Sequence, residues 1–509
     1  MGQKPKVFHH ADSEMAEVVA GMSTLQEEFK PTPWLRWTHL QTILGQARFA
    51  SIPDDCYRRQ LVTIKDGGTV SLDWFTGERL PKSHTSADDP PGAETFPEGT
   101  RPVVLILHGM TGDSTAGYCK WMSYSAWREG WTPVVMNFRG MGGIELTTPL
   151  SLCAAFTGDL PCVVDAIRAA HPRAPLLGVG YSLGSMVLGK ALTELPVGTL
   201  DAAMLVSNPI DGFMALRNLE KPFTISYLYN RHLATKSVRI ARKNRAKLWE
   251  SDVVRESWHA NRLEKCTTVR DFDKALVVPM HGYRSPEEYY ADSSTATHLP
   301  RIRTPTLILL AKDDPFVGRI PRAECIANPW VALVVTRKGG HVAWMEGWWP
   351  FSRQAYMDRV AVDFFNNVMA ARARGKLCDA TGIPPAPGMG RSSSIRRLAA
   401  QGGAAVAAGS EANTMVAPST VSTRALPSAG LYRSERESTD GSVVRRDGSS
   451  DEEGTVKHGA ERPAGGKEGG VGEEREEFAD CVEEVASEES GQPAGGWSTW
   501  AACRRLLRL

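Results

Sequence analysis

Ser182 stands in Gly180-Tyr181-Ser182-Leu183-Gly184, between the apolar run Leu176 to Val179 and a helix-like stretch from Met186 to Leu195. A G-x-S-x-G pentapeptide between a strand and a helix is the pattern of a nucleophile elbow, which lifts a serine hydroxyl clear of the backbone. The flanking glycines let strand and helix approach without a Cβ clash, and the serine itself is expected to adopt a strained backbone. The pattern occurs once in the chain.

A serine hydroxyl is a weak nucleophile until a base within hydrogen-bond reach takes its proton, and that base needs an acid to orient it. In open parallel sheets, reactive groups collect beyond the carboxyl ends of the strands. Two loops qualify. Lys312-Asp313-Asp314-Pro315 follows the apolar run Thr306 to Ala311, and Gly339-Gly340-His341 follows Val331 to Thr336. The order serine, aspartate, histidine is the one expected of an elbow-centred site. His341 is the expected base. Asp314, directly before Pro315, is the favoured acid and Asp313 the reserve, because adjacent side chains point in different directions and only one can face the imidazole. The other is expected to cap the turn or the following helix.

A developing oxyanion needs two backbone donors. Leu183, directly after the nucleophile, supplies one, and the loop His108-Gly109-Met110-Thr111-Gly112 supplies the other, with Met110 the expected donor. His108 and Asp113 also form an H-x4-D string of the kind that marks acyltransferases, but it overlaps this loop. An acyltransferase is therefore a minor alternative.

These residues need a sheet to hold them. Gln60 to Ile64 and Thr69 to Trp74 flank Asp66-Gly67-Gly68, a hairpin signal. Unalternated, β-branched and leucine-rich runs follow at Val103 to Leu107, Pro133 to Asn137, Leu176 to Tyr181, Ala202 to Ser207, Thr306 to Ala311 and Val331 to Thr336. Such runs suit strands covered on both faces. The spacing predicts an α/β fold, an eight-stranded, mostly parallel sheet with helices on both faces. The interval from Asn208 to Pro305 exceeds one crossover, so a helical lid over roughly 210–300 is expected.

The full chain has 509 residues, a formal net charge of +1 and 42% hydrophobic residues, which argues for a globular protein and against a dedicated nucleic-acid binder. Its nine cysteines are scattered, without C-x-x-C or zinc spacing, as in proteins of a reducing compartment. No signal peptide or membrane-spanning run is evident, so a cytoplasmic or peripheral membrane location is expected. Residues 1–30 read as an extension and 31–375 as the catalytic-type domain. Beyond Lys376 the chain turns rich in Gly, Ala, Ser, Glu and Arg, and reads as a disordered tail over 376–509. Within that tail, Glu473 to Glu489 could form a partner-binding helix, and Trp497 to Leu509 mixes tryptophan, leucine and arginine in a way suited to a membrane surface.

The motifs extend beyond the elbow. Pro33-Trp34 with His39-Leu40-Gln41-Thr42, Leu72-Asp73-Trp74, His108-Gly109-Met110-Thr111-Gly112 with Tyr118, and Asn137-Phe138-Arg139-Gly140 form one series. Thr268-Val269-Arg270-Asp271-Phe272-Asp273, Tyr289-Tyr290, Asp313-Asp314-Pro315-Phe316 and Gly339-Gly340-His341 continue it. In these segments the chain, from Pro31 to about Ala370, resembles the α/β-hydrolase-domain lipid hydrolases of the type-4 subfamily, with its bacterial esterases and plant embryogenesis-associated members. The resemblance implies an α/β-hydrolase fold and a Ser182–Asp314–His341 triad acting on carboxylic esters, those of lipids such as monoacylglycerols or phospholipids. It implies no metal or organic cofactor.

His108 and Tyr118 are expected to touch substrate, as are Phe223 and Tyr227 in the lid, where Ile225, Leu228 and Tyr229 join them around an acyl pocket. A basic lid stretch, Arg239, Arg242, Lys243, Arg245 and Lys247, is a candidate for anionic headgroups. The expected partner is a lipid or other ester, with peripheral membrane contact through the lid or the terminal Trp/Arg segment and no nucleic acid. A non-catalytic binding or scaffold protein is the competing reading.

Overall fold

The computed structural model describes residues 2–45, 52–81, 96, 99–351, 353–375 and 377. Apart from Leu377, the expected tail, with its two patches, lies outside the described residues.

The apolar runs from Val103 onward form the buried strands, and more polar segments pair at the sheet's two edges. In chain order these are β1 (Lys6–Phe8), β2 (Tyr57–Thr63), β3 (Thr69–Phe75), β4 (Val103–Leu107), β5 (Thr132–Asn137), β6 (Leu176–Tyr181), β7 (Ala202–Val206), β8 (Thr306–Ala311) and β9 (Val331–Thr336). They make one sheet in the order β1-β9-β8-β7-β6-β4-β5-β3-β2. Pairings from β5 through β4, β6, β7 and β8 to β9 are parallel, while β1 with β9, β2 with β3, and β3 with β5 are antiparallel. Alternate residues of one strand enter different layers. Val103, Leu105 and Leu107 join the core on one face, Val104 and Ile106 the core on the other, and both sets are buried. This is why the run carries no polar alternation.

The elbow helix Leu183–Glu194 and the helix Leu160–Ala170 cover the first face. Gly117–Arg128 and the closing helix Tyr356–Ala373 cover the second. Between β7 and β8, helices from Gly212–Leu219 onward form the expected lid. Its longest member is Ile225–Lys243. The lid has its own apolar cluster, around Leu248, Val254, Trp258 and Leu276. Among the described residues, no helix is long and apolar enough to cross a membrane.

Register brings the loops of interest together. Leu107 pairs with Gly180, so the loop opening at His108 leaves the sheet beside the elbow. Ala311 pairs with Thr336, so the loops carrying Asp314 and His341 leave side by side.

The sheet has a ninth strand, and it comes from the segment read as an extension. Val7 of β1 pairs with Val334. Met15, Val18, Met22 and Phe29 are buried in the second core, and Phe29 packs on Tyr356 at 5.1 Å. Asp363 of the closing helix accepts from the Thr24 backbone at 2.8 Å and its hydroxyl at 2.7 Å. Three residues of strand are too few to show periodicity, so this pairing is invisible in sequence. Because Met15 is fully buried, Met15→Ala should cost about 2–5 kcal/mol. Chemical denaturation measures this, and an inert extension would show no change.

Candidate active site

The elbow is built by close packing. Ser182 has φ 51° and ψ −119°, a left-handed conformation that a non-glycine residue adopts only under constraint. Its N–H donates to the Val206 carbonyl at 3.0 Å, and its own carbonyl accepts from Ser185 N at 3.0 Å. A Cβ on Gly180 would sit 2.6 Å from the Gly184 carbonyl oxygen, and one on Gly184 would overlap the carbonyl of His108. Both positions exclude any side chain.

The half-buried Ser182 hydroxyl lies 2.9 Å from His341 Nε2. His341 Nδ1 lies 3.0 and 2.9 Å from the two carboxylate oxygens of Asp314, whose side chain is fully buried. Asp314 Oδ1 also accepts from Phe316 N at 2.8 Å, which fixes the carboxylate's plane. Asp313 turns away. It accepts from the Thr38 hydroxyl, from Gly340 N at 3.2 Å, and pairs with Lys338 at 3.5 Å. The two neighbouring acids thus divide the work: Asp314 meets the imidazole, and Asp313 ties its loop to the N-terminal segment.

The histidine loop is fastened from below and behind. His341 N donates to the Thr42 hydroxyl at 3.1 Å, and Val342 N donates to Ser207 Oγ at 3.0 Å. Phe316 stacks on the imidazole at 4.1 Å with 27° between planes. Lid residue Tyr229 packs on Phe316 at 5.5 Å, and its hydroxyl lies 3.1 Å from His39 Nδ1. Burial, with the Asp314 carboxylate nearby, drives the Tyr229 phenol well above its ordinary range, so it stays neutral.

Leu183 directly follows Ser182, and Met110 lies in the loop that leaves β4 beside the elbow. Leu183 opens its helix, where N–H groups lack intrahelical acceptors. The Met110 N–H has no acceptor among the described residues. The neighbouring Gly109 N–H is engaged, donating to Tyr118 Oη at 2.9 Å. Behind this loop, Ser114 N donates to Asn137 Oδ1 at 2.8 Å, and Asn137 Nδ2 donates to Asp73 at 2.7 Å. Arg59 closes the network on Asp73 at 2.7 Å. Burial pushes the Asp73 carboxyl up, but the Arg59, Ser114 and Asn137 bonds outweigh it and leave Asp73 below the usual carboxylate range.

Two of the residues expected to touch substrate, His108 and Tyr118, are buried inside the protein. His108 is fully buried, edge-on to Phe138 at 4.8 Å, with Nδ1 2.8 Å from the Gly109 carbonyl. Burial holds its imidazole below the ordinary value. It shapes the loop and cannot serve as the accessible base of an H-x4-D site. Tyr118 is buried against Tyr181 at 4.8 Å and braces Gly109. Phe223 is wholly exposed and has a positive φ of 58°. Tyr227 is half-buried in the first turns of the lid helix. The basic lid stretch is also engaged: Arg242 pairs with Glu264, Lys247 with Glu250 at 2.6 Å, and Arg245 lies over Trp249 at 4.6 Å.

The sequence reading missed Phe316, Thr38 and Thr42 as site residues. All three stand in or beside motifs singled out above, but their partners are remote in the chain. Among the described residues, no group of three or more His, Cys, Asp or Glu could hold a metal ion.

A strained serine between strand and helix, an imidazole and a buried carboxylate on successive strand ends, and a parallel sheet under a helical lid define a class. Residues 103–364 match the model of the alpha/beta hydrolase family, and the chain belongs to that family. It is 34% identical over 368 residues to phospholipase ABHD3 of Mus musculus, covering 72% of this chain and 84% of the relative. It is 30% identical over 340 residues to the monoacylglycerol lipase of Saccharomyces cerevisiae, covering 60% and 74%. It is 29% identical over 326 residues to the putative esterase YheT of Escherichia coli, covering 63% and 88%.

The elbow geometry yields a test. Gly184→Ala forces a methyl group into the His108 carbonyl. It should lower stability by about 1–3 kcal/mol and abolish labelling of Ser182 by a fluorophosphonate, read by thermal melting and gel fluorescence.

Proposed function

We propose that this chain is a serine hydrolase that cleaves carboxylic esters of lipids through an acyl-enzyme, with Ser182 as nucleophile, His341 as base and Asp314 as orienting acid. Family membership and relatives named phospholipase, monoacylglycerol lipase and putative esterase make it a carboxylic ester hydrolase. Lipid esters are the substrate class that most of those names carry. The observation that carries the assignment of roles is the hydrogen-bonded line from Ser182 Oγ to His341 Nε2, at 2.9 Å, and from Nδ1 to Asp314 Oδ2, also at 2.9 Å.

In the first step, His341 Nε2 takes the Ser182 proton as Oγ attacks the ester carbonyl. Nδ1 keeps its proton, donated to Asp314, and the carboxylate stabilises the imidazolium that forms. The carbonyl oxygen, now an anion, rests on the Met110 and Leu183 amides. As the tetrahedral centre collapses, imidazolium returns its proton to the departing alkoxide and the alcohol leaves. Water then attacks the acyl-serine with His341 again as base, releasing a carboxylic acid and restoring Ser182. Phe316 keeps one face of the imidazole covered throughout, and Asp314 is closed to water. Both features hold the ring in one orientation.

A fluorophosphonate probe should label the wild-type chain and fail on Ser182→Ala. A folded wild-type protein that resists the probe overturns the assignment. The two aspartates separate cleanly. Asp314→Asn should lower kcat on a soluble ester by about 10³–10⁴-fold, since the wrong imidazole tautomer is then favoured. Asp313→Asn should instead act on stability, by about 1–3 kcal/mol, with kcat changed far less.

A further inference from the structure

We propose that the loop Gly347–Phe351, together with Pro33–Trp37, is a docking surface for an anionic lipid bilayer that seats the mouth of the site on the membrane. Trp348 and Trp349 are 73% and 52% exposed, a poor arrangement for two indoles with no partner to cover them. They are not loosely held. Trp34 Nε1 donates to the Trp348 carbonyl at 2.7 Å, and Trp34 and Trp349 pack on Phe351 at 6.2 and 5.0 Å. The Thr32 amide donates to the Met345 carbonyl at 3.0 Å, so the two segments are laced together at the loop's base. A rigid display of indoles fits an environment that is apolar on one side and wet on the other, which is the headgroup boundary of a bilayer.

Charge selects the kind of bilayer. Arg36 is exposed on the first segment, Lys30 and Arg353 are exposed within three residues of the two segments, and Arg337 is exposed just after β9. Of the acids nearest in the chain, Glu346 and Glu27 share Arg359 at 2.8 and 3.2 Å and Glu28 is exposed, so these four cations and Arg359 outnumber them. A tryptophan patch with exposed cations on its flanking segments complements anionic headgroups.

The patch is continuous with the site. The same short stretch that carries Trp34 and Arg36 goes on to Trp37, whose ring meets His39 at 5.3 Å, and to Thr38 and Thr42, which hold Asp313 and the His341 backbone. His39 reaches the lid through Tyr229 at 3.1 Å. A bilayer engaged by the indoles therefore lies at the edge of the lid, where a lipid ester would enter. The link to catalysis rests on the proposed lipid-ester activity. The docking surface itself does not.

The full chain is tested by sedimentation with phosphatidylcholine vesicles, with and without phosphatidylserine, alongside hydrolysis of a soluble short-chain ester. Wild type should partition onto the phosphatidylserine vesicles and lose binding as salt rises. The double variant Trp348→Ala/Trp349→Ala should lose roughly tenfold or more of that binding, while keeping its melting temperature and soluble-ester rate. Arg36→Glu/Arg353→Glu should lose the preference for phosphatidylserine. Wild type that ignores both vesicles, as it would if a protein covers the patch, overturns the proposal, and so does a tryptophan variant that binds like wild type. Vesicle binding without ester hydrolysis would sink the proposed activity and leave the docking surface standing.

Discussion

The backbone of Ser182 is the constraint on which the site depends. A non-glycine residue at φ 51° costs of order 1–3 kcal/mol, and the surroundings must hold it there. They do so by leaving no room to relax: two glycines without side chains bring β6, the elbow helix and the end of β4 into contact. The strain is not confined to the serine. Ser207, Val342 and Trp344 also have positive φ, at 49°, 51° and 42°, and Val342 N is bonded to Ser207 Oγ. Unusual backbone thus gathers along the carboxyl edge of the sheet, where it aims one hydroxyl and one imidazole at each other.

Around that pair, the fold supplies braces that hold the surrounding loops. Tyr118 holds Gly109, leaving the next amide along the loop without an acceptor among the described residues. Asp73, Asn137 and Arg59 fix the far end of the same loop. Asp313 and Thr42 fasten the histidine loop to the N-terminal segment. Preorganised donors gain their value from such fixation, since they need not reorganise as charge develops.

The sheet, the lid and the order of the reactive residues were legible because each rests on local pattern. Unbroken apolar runs such as Leu176 to Tyr181 betray strands buried on both faces, and the glycines around Ser182 betray a tight turn. What was hidden depends on contacts distant in sequence. The position of Asp314 before Pro315 only favoured it over Asp313; the contact with His341, and the Thr38 hydroxyl 275 residues from Asp313, show how the two divide. Strand β1 is three residues long, and its partner β9 lies at the opposite end of the domain. His108 and Tyr118 are polar enough to look exposed, and only the packed sheet shows that they are inside. Phe223 is apolar enough to look buried, and only its turn shows that it is out.

The tie between the two ends of the chain sets the order in which the site is completed. His341 lies 159 residues beyond Ser182, which at ribosomal speed is roughly 10–30 s of synthesis. During that interval the elbow has a serine with no base. The imidazole then arrives on a loop that is held only if the Thr38–Thr42 segment, made first, is waiting for it. The Thr38 and Thr42 hydroxyls, made early, thus meet Asp313 and the His341 backbone only after the second half of the domain has been synthesised.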